Sequence, residues 1–264
     1  MKNVLLLLHD DQGENARLKA AVDLTKAIGG HLHCLDVLNP AEVLDRHLVT
    51  IDAVMLENVR EQVSQHRKLI EQRLGTETVS WRYSQALGSP ATGVIDAAEL
   101  ADIVVLSLPG TSARRETKHL IGDVAIKVHR PILAVPQNSC GLDVSGKALV
   151  AWSGSHQSAE ALRSAVPLLQ YASSVVLYSV NSPISRVSIK EATAYLSKYK
   201  IPVEVVQEST TEPVSEAILD KAQAIQASYV VAGAYGLPRW LESSFGGVTD
   251  GLVERADMPI LLAH

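Results

Sequence analysis

The feature that most constrains this chain is that it repeats itself. VLLLLHD at residue 4 is answered by ALVAWSG at 148, and RPILAVP at 130 by MPILLAH at 258. Such self-similarity marks an internal duplication, so whatever fold is assigned to one half must serve the other. Val4 to Pro131 spans 127 positions and Ala148 to Pro259 spans 111, which makes the first copy 16 residues longer, mostly around its second helix. Each copy has the length of a small domain. The boundaries are placed at 1–137 and 147–264. They are joined by 138–146, within the polar, glycine-containing stretch QNSCGLDVSG.

Short apolar runs alternate with longer segments of helical period in both copies. Val4–Leu8, Ile103–Leu106 and Pro131–Val135 read as strands apolar on both faces, the mark of a parallel sheet covered by helices. Between them Leu18, Ala21, Val22 and Ile28 share one helical stripe, Val59, Val63, Ile70 and Leu74 another, and Thr92–Ala101 forms a shorter alanine-rich helix. The order β-α-β-α-β-α-β-α-β then restarts at Lys147 and closes on Pro259–Ala263. The fold class is therefore α/β: two repeated domains, each a five-stranded parallel sheet with right-handed crossovers and helices on both faces.

Composition excludes several functions. With 47% hydrophobic residues the chain can bury a sizeable core, and a net charge of −5 gives no global basic face for nucleic acid or an anionic membrane. The N-terminal apolar run is too short for a signal-peptide core, and no stretch approaches a membrane span. Two cysteines, Cys34 and Cys140, make neither a disulfide framework nor a four-thiolate metal site, so a cytoplasmic location is expected. His31, His33 and Cys34 invite a metal reading, but a strand puts the histidines on one face and the cysteine on the other.

The chemistry is expected beyond the carboxyl ends of the strands, where the strand order of an open α/β sheet reverses. In the second copy two loops meet there: Ser153-Gly154-Ser155 after the first strand, and GAYGLPRWLESSFGGVTDGL, from Gly233, after the fourth. Gly233 and Gly236 allow a tight turn and a close backbone approach. Gly246 and Gly247 then open the last helix, whose first N–H groups, from Gly247, Val248 and Thr249, would face an anion. The Thr249 hydroxyl adds a contact or a cap.

G-x2-G-x9-G in that loop, near the end of a β/α repeat closing on a P-I-L strand, resembles the universal stress protein family over almost the whole chain, in its tandem two-domain form. The resemblance implies an adenine nucleotide alpha-hydrolase-like fold with strand order 3-2-1-4-5 in each half. It implies halves related by a pseudo-twofold, with Ile132–Val135 close to Ile260–Ala263. It also implies a stress-response, ligand-sensing protein. Its ATP or other adenine nucleotide would lie over the first, second and fourth strands, with Mg accompanying the nucleotide and no other metal. The nucleotide-binding residues would be Gly233, Gly236, Gly246, Gly247, Val248, Thr249, Ser153 and, near the adenine, Val180. The partner expected is a small nucleotide or an unspecified protein, with no nucleic acid and no membrane. The chain would form an intrachain pseudo-dimer and be a monomer or a homodimer.

The match has departures. Gly247 stands where binding members carry Ser or Thr, and Ser153 where they carry Asp. In the first copy Ser107 replaces the first glycine, Gly110 matches the second, and Lys118-His119 fall where Gly246-Gly247 stand. Any nucleotide is thus expected in the second half, with slow hydrolysis at most, because no nucleophile–base pair stands out. The alternative is an interaction or scaffold protein with a vestigial site. An adenylating PP-loop-type enzyme, suggested by Ser153-Gly154-Ser155, would need an Asp near 157, where Gln157 stands.

Overall fold

The computed structural model describes residues 1–9, 11–38, 53–109, 115–181, 186–235 and 247–264. The first half runs β1 (Asn3–Leu8), α1 (Glu14–Ile28), β2 (His31–Leu38), α2 (Ala53–Gly75), β3 (Ser80–Leu87), α3 (Pro90–Ala97), β4 (Ile103–Ser107), α4 (Arg115–Val128) and β5 (Ile132–Val135). The second runs β6 (Lys147–Ala151), α5 (His156–Leu169), β7 (Ser174–Val180), α6 (Ile189–Lys198), β8 (Val203–Glu208), α7 (Val214–Ala224), β9 (Ala227–Gly233), α8 (Val248–Arg255) and β10 (Ile260–Ala263).

Serines start three of the helices. Ser89, Ser155 and Ser188 each lie in extended backbone and accept an N–H from the residue three positions on, which satisfies one of the free donors at a helix start. Glu191 completes a reciprocal capping box with Ser188. Ser89 and Pro90 set the start of α3 two residues earlier than its apolar pattern indicates, and the helix stops at Ala97 rather than Ala101.

The strands form one ten-stranded sheet in the order β3-β2-β1-β4-β5-β10-β9-β6-β7-β8. Within each half the order is 3-2-1-4-5 and every pairing is parallel. The halves are not separate sheets. They join through β5 and β10, which pair antiparallel with Leu133 opposite Leu261. In the repeat these leucines are each other's equivalents, so a pseudo-twofold passes between them. Two apolar layers cover the sheet. One includes Leu24, Ile70, Ala165 and Leu196, under α1, α2, α5 and α6. The other includes Val94, Ile121, Ile218 and Leu252, under α3, α4, α7 and α8.

The runs of β1, β4, β5 and β10 are buried on both faces, as expected of strands inside such a sheet. The outermost strands β3 and β8 depart from that pattern: they have one neighbour each and are half exposed along their length. No helix among the described residues is long and apolar enough to cross a membrane.

Candidate functional site

Because the strands of each half are parallel, their carboxyl ends share one edge of the sheet. In the second half the order reverses between β6 and β9, the place where such sheets bind ligands. Ser153 follows β6, Val180 ends the neighbouring β7, and Gly233 ends β9. Gly247, Val248 and Thr249 begin α8, which leads into β10 on the other side of β9. Gly236 and Gly246, with Trp240 and Phe245, lie outside the described residues.

Gly233 is required by packing. A Cβ there would stand 2.6 Å from both the carbonyl carbon of Gln157 and the amide nitrogen of Ser158, at the start of α5. Two residues on, Tyr235 turns the chain through the left-handed region at φ 52°, and its N–H donates to the Thr249 hydroxyl over 3.2 Å. Thr249 is buried and so ties the base of the loop to the first turn of α8. It does not cap the helix: the N-cap is Gly247, which has no side chain to do so. The Gly251 N–H donates to the Gly247 carbonyl across that end. The amides of Val248, Thr249 and Asp250 therefore have no acceptor inside the helix. Those donors and the helix dipole favour an anion, while the carboxylate of Asp250 in the same turn opposes one.

On the β6 side the Ser153 hydroxyl donates to Ser155 over 2.9 Å, and Ser155 caps α5 through the Ser158 N–H at 3.2 Å. Gly154 turns the loop at φ 70°. Val180 is buried in the layer that also holds Ala234 and Tyr235. Beside the loop, Trp152 is 4% exposed and its indole N–H meets no acceptor among the described residues.

The first half builds the same corner from different side chains. Arg17, on α1, is 2% exposed. Its Nε donates to the Leu7 carbonyl at the end of β1 over 2.7 Å, and its Nη2 to the His9 carbonyl over 3.1 Å. Its Nη1 reaches the Asp11 carboxylate at 3.2 and 3.3 Å and also bonds Ser107 at the end of β4. The guanidinium thus bridges β1 to β4 across the point where the strand order reverses. The glycine has changed sides as well: Gly13 opens α1, and a Cβ on it would come within 2.6 Å of the Ser107 hydroxyl. Gly13 faces Ser107 here, whereas Gln157 faces Gly233 in the second half.

The repeat alignment passes over Arg17, yet its signal is present. It lies four residues before Ala21 and eleven before Ile28, on the buried stripe, where a charge needs partners. Also unforeseen is the polar cluster next to it. Glu14 and Asp36 are both buried, His66 Nε2 lies 2.7 Å from Glu14, and Tyr83 donates to Asp36 over 2.6 Å. Burial, with the Asp36 carboxylate next, raises the Tyr83 phenol above its ordinary range. Gly110 and Arg114 fall outside the described residues. Helix α4 has already begun at Arg115, so Lys118 sits within its first turn rather than before it.

His31 and His33 are engaged across the sheet, His31 with Ser80 at 2.8 Å and His33 with Ser84 at 2.6 Å. Cys34 is buried on the other face and its thiol is pushed up to about 12 by burial. Among the described residues no group of three or more His, Cys, Asp or Glu is placed to hold a metal ion.

Each half is thus an open parallel α/β sheet of order 3-2-1-4-5 with its own switch point. No family model matches the chain, and no curated protein does. Solved structures match over its whole length. A universal stress protein from Archaeoglobus fulgidus DSM 4304 superposes with a TM-score of 0.78 at 18% identity, covering 99% of this chain and 95% of that one. A protein of unknown function from Pseudomonas aeruginosa PAO1 and a putative universal stress protein from Pseudomonas aeruginosa UCBPP-PA14 each give 0.61 at 14% identity, covering 99% of this chain and 92% of theirs. The fold of this chain is that of a tandem universal stress protein.

Proposed function

We propose that the chain is a universal stress protein of the tandem type, a ligand-sensing regulator of a stress response whose second half takes an adenine nucleotide such as ATP. The observation that carries this reading is the start of α8. There Gly247 offers no side-chain cap, so the amides of the first turn have no acceptor within the helix, and Thr249 anchors that end to the loop leaving β9, next to the switch point. Phosphate oxygens suit such donors. Gly236 and Gly246 would complete the phosphate loop, Ser153 would border it, and Val180 would lie against the base. Backbone amides polarise a phosphate without supplying a general base, so the reading is of a sensor with slow hydrolysis at most. Mg would arrive with the nucleotide.

A specific observation favours a second reading, an interaction protein with a vestigial site. Gly233 is accounted for by its approach to α5, and Asp250 places a carboxylate in the turn where phosphate would sit.

Calorimetric titration with MgATP, together with mass spectrometry of the denatured protein for a co-purified nucleotide, separates the two. Gly247→Asp sharpens the test. Aspartate is a good N-cap, so α8 is expected to hold or gain stability. Two like charges about 4 Å apart at an effective dielectric near 20 repel by about 4 kcal/mol, nearly three decades in affinity. If Gly247→Asp binds as the wild type does, or the wild type does not bind at all, the nucleotide reading is wrong.

A further inference from the structure

Asp11 is placed as a ligand would be. Its carboxylate accepts from the Gly13 amide over 2.7 Å and from the Arg17 guanidinium, and that guanidinium is anchored from behind by two main-chain carbonyls and by Ser107. The exposures are unequal: Arg17 is 2% exposed and Asp11 28%, so the cation is fixed in the floor and the carboxylate lies on the solvent side. The contact is also loose. At 3.2 and 3.3 Å it is longer than the roughly 2.7–2.9 Å of a well-formed charge-assisted pair. A buried guanidinium cannot lose its charge and must keep an anion within reach. Nothing in that requirement specifies that the anion be covalently attached.

We propose that Asp11 is a tethered stand-in for a free oxyanion, with Arg17 as the receiving cation. The ligand class is a compact oxyanion of phosphate size, whose geometry matches the guanidinium fork. The contact is competitive: a solution anion reaches the guanidinium only when the Asp11 carboxylate leaves it. The device is confined to this half. Continuing the repeat alignment without a gap from residue 4 and residue 148 places Ala161 at the position of Arg17 and Ser155 at that of Asp11, so the second half has neither charge.

The experiment is thermal unfolding of the full chain in millimolar inorganic phosphate against chloride at matched ionic strength. Asp11→Ala is expected to gain a phosphate-specific rise of several degrees over any seen in wild type, and Asp11→Ala with Arg17→Gln to lose it. Should Asp11→Ala fail to fold, Asp11→Asn keeps an acceptor for the Gly13 amide and is expected to show the same gain. A phosphate response no larger in the folded Asp11 variant than in wild type overturns the proposal, as does one that survives removal of the guanidinium. The second half is identical in every variant, so the difference stands or falls independently of nucleotide binding there.

Discussion

At the ends of β4 and β9 the chain solves one steric problem in two ways. The strand end and the helix start approach too closely for two side chains, so one partner must lack a Cβ: Gly13 opposite Ser107, Gly233 opposite Gln157. This explains why Gly233 was legible as a position of close approach but not as to what approaches it. A helix backbone and a phosphate make the same demand on the residue. The two sites should respond differently. Gly233→Ala would meet main-chain atoms that cannot turn aside, and it is expected to cost about 1–3 kcal/mol in denaturant unfolding. Gly13→Ala meets chiefly a hydroxyl, so its cost is expected to be smaller and to fall further when Ser107→Ala is added, a coupling that a double-mutant cycle reads. Equal costs at the two glycines would show that backbone contact is not what matters.

Among the elements, helices were the more legible. Their stripes name the buried face, and the structure puts serine caps at three of the starts, Ser155 among them. Removing that hydroxyl with Ser155→Ala is expected to cost about 1 kcal/mol, and Ser155→Thr to recover most of it, measured by thermal unfolding. The edge strands were less legible. β3 reads SWRYSQAL and β8 VEVVQE, mixed sequences that a sheet tolerates only where one neighbour is missing, and the composition of a segment does not say how many neighbours it will have. The pairing of β2 with β3 leaves a titration signature. Burial, then the charge of Arg82 and then His31, lowers the His33 imidazole from 6.5 to about 4. Between those values the unfolded chain binds a proton that the folded chain refuses. His33 therefore contributes stability above pH 6.5 that is lost as pH falls toward 4. His33→Gln is expected to flatten the stability profile across that window, and an unchanged slope in urea titrations at pH 7, 5.5 and 4.5 would remove His33 as its source.

On the scale of the whole molecule the repeat could be read directly, whereas the order of strands in each half and the nearness of the two closing strands came only through the family resemblance, and the merging of ten strands into one sheet not at all. The apolar runs of β5 and β10 show that both strands are buried, but not that each covers the other. The antiparallel seam at Leu133 and Leu261 makes one apolar layer run beneath both halves. The chain is accordingly expected to unfold in a single transition: far-ultraviolet circular dichroism and near-ultraviolet tryptophan signals, with Trp81 in one half and Trp152 in the other, should coincide. Leu261→Ala should lower both together, by about 2–5 kcal/mol. Two separated transitions would show that the seam does not couple the halves.

The same seam bears on descent. Where two identical chains meet on a twofold, every substitution arrives twice, and a residue on the axis is confronted with its own replacement. Fusing the pair into one polypeptide removes that penalty. A mutation now falls on one side only, and the partner can compensate or stay as it was. The exchange of glycine between Gly13 and Gly233, and the appearance of Arg17 with Asp11 where the other half has Ala161 and Ser155, are the kind of divergence that a single gene for both halves permits and strict symmetry forbids.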